Sequence, residues 1–156
     1  MRTKYFFSAV MVLAVLAGAI LVSGGHLMIV LDPYSMILVL GLPFIIAFGS
    51  WPLRDICRAF SAPFDPSADG KDLRKAAEFF ESFRSWLAVS AATGAMTGLL
   101  LMLALFDLDN GLARLGSNLA VMLLSVFYAL VLNLLFVLPL GALARRRLLD
   151  MQATRN

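Results

Sequence analysis

The stretch that decides the fold is Leu115–Ala144, LGSNLAVMLLSVFYALVLNLLFVLPLGALA, which carries no Lys, Arg, Asp or Glu and runs straight into Arg145-Arg146-Arg147. A hydrocarbon core of about 30 Å takes ~20 helical residues to cross, and this stretch is longer than that. Three other stretches are equally free of charge: Tyr5–Leu31, Pro33–Leu53 and Ser85–Phe106. Of the 13 Lys and Arg, 12 fall in the blocks between and beyond them: Arg2 and Lys4, then Arg54, Arg58, Lys71, Arg74, Lys75 and Arg84, then Arg145, Arg146, Arg147 and Arg155. Arg114 is the exception. Positive charge stays on the cytoplasmic side of a membrane. The pattern therefore predicts an all-α polytopic membrane protein with four transmembrane helices and both termini cytoplasmic.

Composition agrees, with 61% hydrophobic residues, 15% charged and a mean hydropathy of +0.87. The net charge of +3 comes from these topogenic residues, so it is not a nucleic-acid footprint. One membrane domain over residues 1–156 is expected. Its spans are about 5–22, 34–50, 85–106 and 115–143, with a cytoplasmic segment over 53–84 and a basic cytoplasmic tail over 145–156. Arg2, Lys4, the apolar run and Ala17-Gly18-Ala19 also fit a cleavable secretory signal, which would leave three spans. The apolar continuation to Val22 favours a retained first helix.

Ser23-Gly24-Gly25-His26 loosens the chain at the outer surface, and Asp32-Pro33 suits the start of the second span. Pro43 inside that span predicts a kink, and Trp51-Pro52 ends it. The inner segment holds six basic and six acidic residues. Ser61–Ser67 reads as a loop. Asp69–Arg84 reads as a helix running straight into the third span, because no Gly or Pro lies between Gly70 and Trp86. The third span ends near Phe106 in an Asp107–Gly111 turn.

The spans contain no carboxylate, Lys or Arg, although transporters and proton paths require an intramembrane ionisable group. Instead, Ser90, Thr93, Gly94, Thr97 and Gly98 share one side of the third span, and Gly94/Gly98 form a GxxxG spacing that admits close helix approach. Ser125, Ala129 and Asn133, spaced by four, share a face of the fourth, with Asn118 seven residues before Ser125. Spacing alone allows packing or a polar pathway, and packing is the commoner use of such residues. Asn133, at mid-span, should face another helix or a partner. His26 reads as an outer-surface bystander and Cys57 as inert. Asp32, Asp107 and Asp109 already have roles as turn and helix-start residues. No catalytic constellation, phosphate loop or metal-ligand spacing occurs, so no enzyme, metal or organic cofactor is expected.

The sequence resembles a known family. Gly94–Leu103, the Asp-rich turn, Gly116, Ala120–Ala129, Asn133 and Leu138-Pro139-Leu140 look like the last two helices of the MotA/TolQ/ExbB proton-channel family. Asp32–Gly41 after Gly24-Gly25 resembles the first two helices on the MotA side. The resemblance implies five such subunits in a bacterial inner membrane, their last two helices lining a central pore around two copies of a single-span partner of MotB, TolR or ExbD type. The partner supplies an intramembrane Asp, and protons drive the motion. It places Ser90, Thr93, Thr97, Ser125, Tyr128 and Asn133 along the ion pathway or facing the partner, and Gly94, Gly98 and Pro139 at helix packing. Ala95 and Ser125-Val126 stand where many relatives carry Thr; Ser125 keeps a hydroxyl there while Ala95 and Val126 do not, so H+ is implied over Na+. The proline that flagellar stators carry near Ala88 is missing, and the inner segment is too short for a rotor-binding domain. A flagellar stator of the usual kind is thus not expected. The competing readings are a structural or accessory four-helix membrane protein without conduction, and a solute transporter subunit, which the lack of an intramembrane charge disfavours.

Overall fold

The computed structural model describes residues 2–104 and 111–155. The helices are α1 (Arg2–Val22), α2 (Pro33–Ser50), α3 (Leu53–Ser61), α4 (Gly70–Ala104), α5 (Gly111–Leu132) and α6 (Leu138–Arg155). Single 3-10 turns cover Leu27–Val30 and Ala62–Phe64, and a π-helical turn, Asn133–Val137, joins α5 to α6. No strand occurs among the described residues. Four helical runs are long and apolar enough to cross a membrane: α1, α2, α4 and the α5–α6 run. This is a polytopic, all-helical membrane architecture. The end of the third span near Phe106 and the turn residues Asp107–Asn110 lie outside the described residues.

The helix ends follow from local chemistry. Helix α1 stops in a Schellman motif: Gly25 N–H donates to Ile20 O and Gly24 N–H to Leu21 O, both at 3.0 Å, with Gly24 at φ 77°. That left-handed backbone favours glycine. Helix α2 begins where the Asp32 carboxylate accepts the Ser35 N–H at 2.8 Å, with Pro33 in the first turn. It then runs unbroken through Pro43 and buries Ser35, Val39, Pro43 and Ala47, one face stepped by four, against α4 and α5.

Helix α4 joins the expected inner helix and the third span into one rod of 35 residues. At 1.5 Å per residue it is ~50 Å long, ~20 Å more than a hydrocarbon core. Residues 145–155 likewise continue α6 as helix. The structure also adds α3, which hydropathy does not announce because it is short and amphipathic. Its Ile56 and Ala59 face inward, while Arg54 and Cys57 are exposed.

The core is densest at the basic end of the bundle. Phe79, Phe80 and Phe83 of α4 are buried and meet Trp51, Phe60 and Phe44 edge to face at 5.7, 5.3 and 5.3 Å between Trp51–Phe79, Phe60–Phe80 and Phe44–Phe83. In lipid an apolar helix face needs no protein cover, whereas segments beyond the bilayer must bury theirs against one another. Helix α1 illustrates the first case: its span is unburied. Tyr5 holds it, donating from Oη to Leu135 O at 2.7 Å and tilting its ring against Phe64 at 5.4 Å. Pro139, four residues after Leu135, has no N–H to offer that carbonyl. The Tyr5 hydroxyl supplies the donor, and the helix relaxes there into its π-turn.

Polar contacts close the basic end. Arg58 bridges Asp65 at 2.6 Å and Asp72 at 2.8 Å, and Arg147 donates to Ala62 O at 3.0 Å and Asp65 O at 2.8 Å. Lys75 pairs with Asp55 at 2.8 Å, and Arg145 with Glu81. Bonds from the Ser67 hydroxyl, the Ser67 N–H and Arg58 lower the Asp65 carboxyl from the usual 3.8 to about 2. A lowered carboxyl stabilises the fold above its unfolded value, and that contribution disappears as pH falls through the folded one. The 62–67 connection should therefore stay docked at pH 3, where ordinary carboxylates are already protonating, and loosen near pH 2. Protection of the Ser67 amide against hydrogen exchange checks this; equal loss of protection by pH 3.5 would refute it.

Candidate functional site

The α4–α5 pair carries every residue that sequence pattern singled out except those at the π-turn and in α6. Its geometry is set by two glycines. A β-carbon built on Gly94 would lie 2.8 Å from Ser125 Oγ and 2.9 Å from Ser125 Cβ, and one on Gly98 would lie 3.3 Å from Met122 Cβ. Met122 and Ser125 are three apart and so share a helix face. The glycines thus let α4 sit directly on the backbone of α5, and Ser125 is wholly buried in the seam with its Oγ unpartnered.

Other candidates are committed inside the subunit. Tyr128 Oη donates to Val30 O and accepts the Asp32 N–H at 2.8 Å, pinning the α1–α2 connection to α5. Ser35 Oγ donates to Val121 O at 3.1 Å, reinforcing the same join. Ser90 is buried at 1% exposure. Thr93 Oγ1 donates to Val89 O at 2.9 Å and Thr97 Oγ1 to Thr93 O at 2.8 Å, the back-bond to the preceding turn that hydroxyls make when nothing else claims them.

A groove of about 300 Å³ runs along the other flank of the pair. Ala88, Ala91 and Ala92 of α4 and Val126 and Ala129 of α5 line it, with Asn133 at one end and Arg84 at its rim. At ~100° per residue, Thr93 and Thr97 point away from Ala91 and Ala92, and neither threonine lines the groove. Asn133 is the one sequence-selected candidate that does. Its Oδ1 is buried without a hydrogen-bond partner. It sits at the first position of the π-turn, where Leu138 N–H reaches back to Asn133 O. Pro139, half-buried one turn on, belongs to that same distortion.

No protein-family model and no curated protein matches this chain.

Chemically, the groove offers an apolar trough of alanine, valine and leucine side chains with Arg84 at its rim, and a single amide with an unused acceptor. No group of His, Cys, Asp or Glu among the described residues is placed to hold a metal ion. The hydroxyl pattern does not mark this flank of α4; its alanines do, since Ala88, Ala91 and Ala92 follow steps of three and four along it.

Proposed function

We propose that this chain is the membrane core of a pentameric, proton-driven channel or motor unit acting on a single-span partner helix. The observation that carries this reading is the α4–α5 groove: an open, alanine-lined flank without a carboxylate, with a buried amide oxygen lacking a donor. Small residues are what membrane helices present where another backbone must come close. A wall without a carboxylate suits a partner that brings the protonatable carboxyl itself. The resemblance of α2, α4 and α5 to the MotA/TolQ/ExbB family supports the same assignment, with the basic end cytoplasmic and the membrane that of a bacterial cell. Proton coupling is favoured over sodium because Val126, which lines the groove, and Ala95 of α4 carry no hydroxyl where many members of that family have Thr. The short inner segment argues against engagement of a flagellar rotor.

A second reading has an observation of its own. Thr93 and Thr97 bond to their own helix, and Ser125 and Tyr128 are consumed in packing, which is how the hydroxyls of a purely structural four-helix protein would behave. Native mass spectrometry of the complex, expressed with its neighbouring genes, separates the two. Five copies of 17.0 kDa with two copies of a single-span chain carrying an intramembrane Asp are expected. A monomer or dimer without such a chain would leave the structural reading.

A further inference from the structure

A second groove, of about 270 Å³, lies between α4 and α6. Its floor is small and apolar, with Ala77, Gly141 and Ala142, and its rim carries Arg84, Arg145 and Glu81. The depth of that rim follows from the sequence. Arg84 is the last charge before the uncharged stretch Ser85–Phe106, and Arg145 is the first after Leu115–Ala144. The two arginines come from different helices yet mark the same bilayer boundary, where phosphate groups reside. Gly141 keeps the floor low: a β-carbon there would come within 3.3 Å of Phe80 Cβ. Glu81 neutralises Arg145 through their ion pair, and both side chains remain more than half exposed, at 69% and 58%. Arg84 has no anionic partner among the described residues, while Arg58 has two and Arg74, Lys75 and Arg145 have one each. Arg146, exposed beside Arg145, adds a further positive charge.

We infer that this groove is a binding site for an anionic phospholipid, with the headgroup phosphodiester on Arg84 and the Arg145–Arg146 edge and the first acyl carbons over Ala142 and Gly141. A guanidinium at the membrane boundary pairs with a phosphate in fixed fork geometry. Basic pockets between spanning helices are recurrent places for anionic headgroups. Arg84, without an anionic partner among the described residues, lies at the depth where the bilayer supplies phosphate groups. The site depends on the chain spanning a membrane and not on the proton-driven reading.

The test is lipid retention by the full-length chain, in its purified complex, titrated in detergent with dioleoyl phosphatidylglycerol or dioleoyl phosphatidylcholine and counted by native mass spectrometry. Wild type should hold one phosphatidylglycerol per chain in preference to phosphatidylcholine. Arg84→Gln should weaken that preference about fivefold, the usual contribution of one basic residue at an anionic surface. Arg84→Lys should keep most of it, and Arg54→Gln, an exposed cation of the same block outside the groove, should change nothing. Inorganic phosphate at the same concentration should not displace the lipid. Equal retention of the two lipids, equal losses in Arg84→Gln and Arg54→Gln, or displacement by inorganic phosphate would each overturn the proposal.

Discussion

Gly94→Ala should destabilise the folded subunit by about 1–3 kcal/mol, the usual cost of forcing a methyl group into a filled interior. The added carbon would stand 2.8 Å from Ser125 Oγ and 2.9 Å from Ser125 Cβ. Neither atom belongs to the far end of a flexible chain, so relief requires α4 and α5 to move apart. That movement would also strain Gly98 on Met122 and the Ser35–Val121 and Tyr128–Val30 joins, which depend on where α5 sits. The compensating change is Ser125→Gly. It removes both offending atoms and sacrifices no hydrogen bond, because Ser125 Oγ has no partner. The double variant should therefore recover at least half of the loss, a coupling well above the ~0.5 kcal/mol within which independent sites add. Denaturant unfolding of the purified protein in detergent, for wild type, both single variants and the double, gives the cycle. Strict additivity would mean that the two helices do not depend on this close approach.

The same seam explains what could be read from sequence and what could not. Spans were legible because hydropathy and the placement of Lys and Arg are one-dimensional properties: each charge-free stretch falls on one of the four apolar helical runs, although α4 and α6 carry on past it at the basic end. The continuity of α4 was legible too, since nothing between Gly70 and Trp86 breaks a helix. Which flank of a helix faces a neighbour is a three-dimensional property, and in lipid hydropathy is silent about it. Ser90, Thr93, Thr97 and Gly94 follow steps of three and four, so they read as one stripe. A stripe is wide enough to be divided, and here its centre is buried in the bundle while Thr93 and Thr97 remain at its edge. The π-turn was illegible for another reason. Pro139 announces a missing donor at Leu135, but the partner that answers it, Tyr5, is 130 residues away in the chain.

If the chain works as the proton-driven unit proposed above, Ala92→Trp should abolish that activity while leaving the subunit folded. Ala92 is exposed and lines the α4–α5 groove, so an indole there displaces whatever helix occupies it without disturbing the packed interior. Exposed substitutions of this kind usually change stability by no more than ~0.5 kcal/mol. Thr93→Trp is the matched comparison, because the next residue on the helix is turned by ~100° onto the other flank. It is also exposed, and it gives up only the back-bond to Val89 O. If the groove seats the partner, Ala92→Trp should lose both proton flux in proteoliposomes and retention of the single-span chain in a pull-down, while Thr93→Trp keeps at least half of each. The reverse result would put the hydroxyl stripe against the partner and leave the alanine groove to contacts between copies. Full activity and retention in both variants would remove α4 from the partner interface. The choice matters beyond one residue: Asn133 lies on the alanine flank, and its unpartnered Oδ1 can accept a hydrogen bond from a protonated carboxyl of the partner.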